Sequence, residues 1–241
     1  RASEVLHIHE HAVVMAEERI TVDDSLAMAQ AIYEFGVQNS SLDLGRLATE
    51  WCREAGSFLT RKAFLQHKLS GFTAGSNPAP KPVDVVLYGF GRIGRLVARE
   101  LIAQEGRGEQ LRLRAIVVRG GGAEDLEKRA SLLRVDSIHG PFPGTVSADS
   151  AKNALVVNGR PVLMINAAKP EDIDYTAYGF SNVLVIDNTG AFRDREALAR
   201  HQQSKGCTKV LLTAPGKGIP NIVFGVNHDQ DWGDETIFSA A

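Results

Sequence analysis

Only two cysteines, Cys52 and Cys207, stand among the 241 residues. They lie far apart and fit no metal-ligand spacing. This excludes a disulfide framework and a zinc-knuckle pattern, and it suits a reducing compartment, here expected to be the cytoplasm. Charge of either sign is not in excess: 27 lysines and arginines face 29 acidic residues, for a formal net charge of −2. Nothing in that balance calls for a nucleic acid or an anionic membrane as partner. No apolar run approaches the roughly 20 residues of a membrane span. Methionine is missing from the first position, which is Arg1, and no signal-peptide pattern follows it. The chain reads as a piece of a longer protein.

What is present is organised around Tyr88-Gly89-Phe90-Gly91-Arg92-Ile93-Gly94-Arg95. The β-branched run Val83-Asp84-Val85-Val86-Leu87 precedes it, and Leu96 to Ile102 follows with helical apolar spacing. Strand, glycine turn and helix succeed one another without a gap, as a dinucleotide requires. The first glycine permits the tight turn, the second lets backbone approach a pyrophosphate, and the third lets the helix close on the strand. The helix N-terminus adds N–H donors and positive dipole.

Residues 1–71 read as a helical segment. Thr21 is placed as an N-cap with Asp24 three residues on, and Val22, Leu26, Ala29 and Ile32 recur at helical spacing. A second helix is expected over residues 41–54, with Leu44, Leu47, Ala48 and Trp51 on one face, and a third over 58–69. Trp51 reads as core. His7, His9 and His11 alternate, which in an extended chain puts them on one side. No carboxylate or cysteine is spaced to complete a metal site, so a solvated strand or loop is the expectation and no metal is assigned. Pro78, Pro80 and Pro82 fall within five positions, so residues 72–82 read as a linker and the domain boundary is placed there.

Residues 83–241 alternate strands with helices. Expected strands are 111–118, a hairpin over 154–165 turning at Asn158-Gly159, 182–187, 209–214, 222–226 and 236–238, with a helix over 195–205. The fold class is α/β: a Rossmann-type, doubly wound, mostly parallel sheet preceded by a small all-α segment. Its ligand belongs at the carboxyl ends of the strands, where Thr189-Gly190 and Thr213-Ala214 fall. The tip of the strand ending at Val118 should read the adenosine ribose. An NAD-selective site places a carboxylate there; this chain has Arg119-Gly120-Gly121-Gly122. A guanidinium pairs with a 2′-phosphate, so NADP, or both cofactors, is favoured over NAD alone.

Taken together, these segments resemble glyceraldehyde-3-phosphate dehydrogenase. The family's Asn-Gly-Phe-Gly-Arg-Ile-Gly-Arg departs here only in its first position, Tyr88. Its Asp-Ser-x-His-Gly is matched by Asp136-Ser137-Ile138-His139-Gly140, its Ser-Thr-Gly-Val-Phe is similar to Asn188-Thr189-Gly190-Ala191-Phe192, its Ser/Thr-Ala-Pro is Thr213-Ala214-Pro215, and its Gly-Val-Asn-His is Gly225-Val226-Asn227-His228. The helical region resembles the extension of a longer bacterial form. The family's Arg-Asp-Pro near the adenine reads Ala168-Lys169-Pro170 here; Lys169 keeps a positive charge nearby.

The resemblance implies a reaction in which a cysteine attacks the aldehyde of a small phosphorylated substrate, hydride passes to the nicotinamide, and phosphate releases an acyl phosphate. Erythrose 4-phosphate is an alternative substrate within the same motifs, and a non-catalytic NAD(P)-binding regulatory module is the reading from another class. The family's nucleophile sits in Ser-Cys-Thr-Thr-Asn, directly after a segment like Ser239-Ala240-Ala241, so no catalytic residue is assigned and the chain alone is expected to be inactive. The complete protein is expected to form homo-oligomers and to serve glycolysis or gluconeogenesis. The cofactor-binding set implied by residues and resemblance is Gly89, Gly91, Arg92, Ile93, Gly94, Arg119, Gly120, Lys169, Thr189, Gly190 and Thr213.

Overall fold

A computed structural model of the chain describes residues 20–37, 42–70, 82–104, 111–120 and 123–241. His7, His9 and His11, Gly121 and Gly122, and all of the linker except Pro82 lie outside the described residues.

Three short helices come first. Helix α1 (Val22–Phe35) starts from a capping box: Asp24 N–H donates to Thr21 Oγ1 at 3.1 Å and Thr21 N–H donates to Asp24 Oδ2 at 3.0 Å. Helices α2 (Leu44–Glu54) and α3 (Arg61–Lys68) each begin three residues later than the apolar spacing suggests. Their caps set the starts, because Asp43 accepts from Arg46 N–H and Thr60 from Ala63 N–H. Met28, Leu47, Ala48, Phe64, Leu65 and Leu69 form their shared core, and Trp51 packs edge-on against Phe64 at 5.5 Å between centroids.

The expected apolar face of α1 is corrected in part: Ile32 packs against this core, but the first turn does not. Val22 and Leu26 are 61% and 54% exposed, while Ser25 and Met28 are buried. The helix carries two apolar lines about one residue out of phase, and the one through Met28 meets α2 and α3. Arg46 ties these helices to the following domain: its Nη1 donates to the Ala103 carbonyl at 2.7 Å while its Nε holds Glu50 at 3.1 Å.

The remainder is built on an eight-stranded sheet. Strands β1 (Val83–Tyr88), β2 (Leu111–Val118), β7 (Arg160–Asn166), β8 (Val183–Asp187), β9 (Cys207–Leu212) and β10 (Ile237–Ser239) run parallel. Strands β5 (Val146–Asp149) and β6 (Ala154–Val157) close one side antiparallel. The order is β10-β9-β8-β1-β2-β7-β6-β5. β1 therefore lies between β2 and β8, where the winding reverses, and the crevice at its carboxyl end is the switch point. Helix α4 (Arg92–Gln104) crosses from β1 toward β2, helix α5 (Ala123–Arg134) follows β2, and the short α6 (Arg195–Ala199) follows β8.

Two apolar clusters cover the two faces, one around Val85, Leu87, Ala98, Leu113, Ile116 and Leu155, the other around Val86, Tyr88, Val117, Tyr175, Val185 and Leu198. β1 feeds both through its alternation and is buried from Asp84 to Tyr88, as a central parallel strand must be. The β6–β7 hairpin turns at Asn158-Gly159, both at positive φ (50° and 77°), the geometry of a two-residue hairpin turn.

Two further expectations change. The helix expected over 195–205 is α6 followed by a 3₁₀ turn over Arg200–Gln203. Residues 222–226 form no strand. Asn227 takes them into a turn, accepting Val223 N–H at 2.7 Å and donating to the Asn221 carbonyl at 2.9 Å. His228 Nδ1 accepts Gly225 N–H at 3.0 Å. The Gly-Val-Asn-His segment is thus a turn bonded by its own side chains.

Candidate functional site

The glycine turn sits at the carboxyl end of β1. Gly89 has φ +96°, and a Cβ there would come within 2.8 Å of Thr189 Cγ2. At Gly94 a Cβ would run into the Gly89 carbonyl oxygen, a backbone atom that cannot swing away. At Gly91 a Cβ would meet nothing within 4 Å. So Gly89 makes the turn, Gly94 lets α4 close on it, and Gly91 leaves bare backbone facing open space. Arg95 N–H bonds the Gly91 carbonyl at 3.1 Å, which starts the helix and leaves the amides ahead of it without intrahelical acceptors. Arg92 and Ile93 are exposed there. The residues present fit a bound pyrophosphate: a concave backbone, a helix N-terminus and room for close approach.

A cleft of about 240 Å³ opens beside this turn. Tyr88 and Gly89, Val118 and Arg119 at the tip of β2, Ala167 past β7 and Thr189 past β8 line it. Four strand ends meet there because Gly89 N–H bonds the Val117 carbonyl (2.9 Å), Ala167 N–H the Val118 carbonyl (3.1 Å) and Asn188 N–H the Tyr88 carbonyl (2.9 Å). Arg119 and Gly120 are exposed at the lip, and Gly120 N–H donates to Asn166 Oδ1 at 2.8 Å.

Asp187 holds the far wall. Its Oδ1 accepts Thr189 N–H at 2.8 Å and the Thr189 hydroxyl at 2.7 Å, and Thr189 Oγ1 in turn accepts Ala191 N–H at 3.1 Å. Gly190 continues this turn, its carbonyl accepting from Arg193 Nε at 2.8 Å. Behind it Phe192 and His201 stack edge-on around the Tyr88 ring, at 6.0 and 4.7 Å between centroids.

The structure therefore gathers Gly89, Arg119 and Thr189 at one cleft, with Gly91, Arg92, Ile93 and Gly94 along the adjoining turn and Gly120 and Gly190 on flanking turns. Thr213 stands apart: its hydroxyl and N–H both donate to the Asp187 carbonyl, at 3.0 and 3.1 Å. Lys169 is exposed and does not line the cleft; its charge acts on Glu171. Glu171 is held below the usual carboxylate range first by the two-pronged Arg200 guanidinium (2.7 and 3.1 Å), then by a bond from its own backbone N–H, with the Lys169 charge adding least. Sequence reasoning missed Ala167 and Asn166, which only the β2–β7 pairing brings beside β2. It treated Tyr88 as a departure from a pattern, without a position in the cleft.

Asp136-Ser137-Ile138-His139-Gly140 joins two short strands, β3 (Val135–Asp136) and β4 (Gly140–Pro141). Asp136 Oδ1 accepts from His139 N–H, His139 Nδ1 and Ile138 N–H, each at 3.0 Å, and these bonds keep its carboxyl well below the usual range. Arg99 crosses from α4 to donate to the Leu133 and Gly140 carbonyls. This motif holds a turn in shape and sits apart from the cleft lining.

Cys207 opens β9 at the amino end, opposite the ligand edge of a parallel sheet, and burial pushes its thiol up to about 12. Cys52 is exposed on α2. Neither faces the cleft. Among the described residues no group of three His, Cys, Asp or Glu side chains could hold a metal ion, and no helix is long and apolar enough to cross a membrane.

Fold and glycine turn define a dinucleotide-binding domain of the Rossmann type. Residues 83–195 match the family model described as "Glyceraldehyde 3-phosphate dehydrogenase, NAD binding domain". The chain is 46% identical over 230 residues to a glyceraldehyde-3-phosphate dehydrogenase-like protein of Pseudomonas aeruginosa, covering 94% of this chain and 50% of the relative. It is 36% identical to chloroplastic glyceraldehyde-3-phosphate dehydrogenase A of Zea mays (84% of this chain, 47% of the relative) and 37% identical to glyceraldehyde-3-phosphate dehydrogenase of Thermotoga maritima (65% and 44%). Its dinucleotide-binding domain thus belongs to the glyceraldehyde-3-phosphate dehydrogenase family. The chain spans about half the length of the curated relatives it matches.

Proposed function

We propose that the chain is the cofactor-binding part of a phosphorylating glyceraldehyde-3-phosphate dehydrogenase that takes NADP or NAD and favours NADP. The observation that carries the cofactor preference is Arg119, exposed at the lip of the cleft where an NAD-selective site presents a carboxylate. The turn from Gly89 to Gly94 takes the pyrophosphate, and Thr189 and Gly190, set by Asp187, form the wall along which the dinucleotide lies. Bound nicotinamide supplies a hydride acceptor. In the whole protein the substrate is a small phosphorylated aldehyde, attacked by a cysteine in the manner the family's chemistry requires.

Within these residues neither cysteine suits that role, since Cys207 lies at the wrong end of the sheet with a raised thiol pKa and Cys52 belongs to the helical segment. The 241 residues alone are therefore proposed to bind a cofactor without turnover. The cysteine usage favours a cytoplasmic setting, and the family pattern favours homo-oligomers of the whole protein. Calorimetric titration with NADP and NAD tests the cofactor preference: NADP should bind more tightly, and a tenfold tighter NAD overturns it. Phosphate-dependent NADPH production by the pure chain would overturn the absence of turnover.

A further inference from the structure

The tip of β2 is held by a residue from another strand. Asn166 ends β7, and the parallel register sets it beside Val118, the last residue of β2. Its Oδ1 accepts Gly120 N–H at 2.8 Å. Gly120 has φ +65°, and a Cβ there would meet nothing within 4 Å, so the tip ends under open space.

That one bond orients the whole amide. Only the oxygen of an asparagine side chain can take an N–H, so the Nδ2 arm is the one left over. Asn166 is exposed, and among the described residues Nδ2 meets no acceptor. The chain thus presents two donors at the tip, the Asn166 amide and the Arg119 guanidinium, where an NAD-selective site presents an acceptor. A ribose hydroxyl donates to a carboxylate but to neither of these groups. Phosphate oxygens accept, and both groups suit them. A small recess beside the tip is lined by Asn166, Gly120 and two residues of α5, Asp125 and Arg129, whose charges offset each other. Its volume of about 20 Å³ is room for a water, so a ligand meets Asn166 at the mouth and not inside.

We infer that Asn166 is a specificity residue for the dinucleotide: its Oδ1 holds the β2 tip, and its Nδ2 donates to the 2′-phosphate of NADP. This rests on the NADP reading of the cleft and adds to it a second, uncharged contact from a strand remote in sequence. Asn166 and Arg119 then address the same phosphate, one as a neutral donor fixed by the sheet, the other as a cation at the rim.

Two substitutions test it. Asn166→Asp keeps an oxygen for Gly120 N–H and removes the donor, whereas Asn166→Ala removes both. Calorimetry on either variant should show NADP binding weakened about tenfold or more, the worth of a hydrogen bond to a charged group. NAD should stay within about twofold of the parent, since a bare ribose takes nothing from Nδ2. AMP should follow NAD, and AMP bearing a 2′-phosphate should follow NADP. The loss with Asn166→Ala should persist in an Arg119→Ala background. A loss that vanishes there overturns the inference, because Asn166 then acts only by presenting Arg119. Equal falls for NADP and NAD, or no fall for either, overturn it too and leave Asn166 a latch on the strand end. If the parent chain prefers NAD, the NADP reading fails and this contact with it; if it binds neither, it is the dinucleotide reading that fails.

Discussion

His201 and Asp187 meet with both side chains fully buried, Nε2 lying 2.8 Å from Oδ2. The pair spans from the turn after α6 to the last residue of β8. It leaves Asp187 Oδ1 free to fix Thr189 through two bonds. One buried carboxylate thus ties the core to the wall of the cleft.

Removing the imidazole takes away the partner of a carboxylate that has no access to water. His201→Ala is expected to destabilise the chain by about 3 kcal/mol, the usual cost of breaking a buried polar pair by deleting one side. Urea unfolding monitored by circular dichroism measures it. Dinucleotide affinity should fall with it, because Asp187 then reorients and loosens Thr189. A loss below about 0.5 kcal/mol, the range of surface substitutions, would show that the pair is not holding the wall.

The three glycines of the turn separate folding from binding. Gly94→Ala drives a methyl into the Gly89 carbonyl and should cost about 1–3 kcal/mol of stability through displacement of α4. Gly91→Ala meets no protein atom within 4 Å. Its melting temperature should stay within about 1 °C of the parent, while dinucleotide affinity drops at least tenfold because the methyl occupies the approach of the pyrophosphate. If Gly91→Ala binds as the parent does, the phosphates do not lie over that glycine.

These two substitutions also mark what could be read without coordinates. The glycine turn and the Asn158-Gly159 hairpin carry their geometry in local residue types, so spacing sufficed. The face of α1 did not: Val22 and Leu26 lie on a helical line as regular as the one through Met28, and only packing against Phe64 and Leu65 chooses between them. Ile222 to Val226 looks like a strand by composition, but the amide of Asn227, outside that run, bonds it into a turn. Half of the cleft wall comes from strands adjacent in the sheet and distant in sequence, β2 with β7 and β1 with β8, so Ala167 and the position of Tyr88 were invisible until the strands were paired.

Acid should unfold the chain by a defined route. Arg195 grips Glu235 with two bonds (2.7 and 3.1 Å) and, together with the N–H groups of Ile237 and Thr236, lowers its carboxyl to about 2. Asp136 is likewise held low by His139 and Ile138. A carboxylate depressed in the folded state binds fewer protons there than in the unfolded chain, so its stabilisation is complete above the unfolded value near 4.5 and is lost as pH falls through 2. Arg195 is about half exposed, so solvent screening keeps this pair's share of the stability small. Urea midpoints from pH 6 to pH 2 should fall below pH 4.5, and Glu235→Gln should flatten part of that slope. Identical slopes in parent and variant would remove Glu235 from the account.

The proposed preference for NADP rests on one exposed cation. Arg119 stands at the lip of the cleft, and its fork matches a phosphate in two bonds where a ribose hydroxyl offers much less. Hydrogen bonds to charged groups contribute roughly 1.5–3 kcal/mol, so Arg119→Ala should weaken NADP binding by about ten- to a hundredfold. NAD, which lacks the 2′-phosphate, should change by about twofold or less, since the variant removes no contact that a bare ribose requires. Because the guanidinium is exposed, the proposed preference for NADP should also shrink as salt rises past about 0.15 M, where the screening length falls below about 8 Å. Arg119→Ala should show no such salt-dependent preference. Equal losses for NADP and NAD would assign Arg119 to the pyrophosphate common to both, and the selectivity of the cleft would then have to come from another residue at the β2 tip.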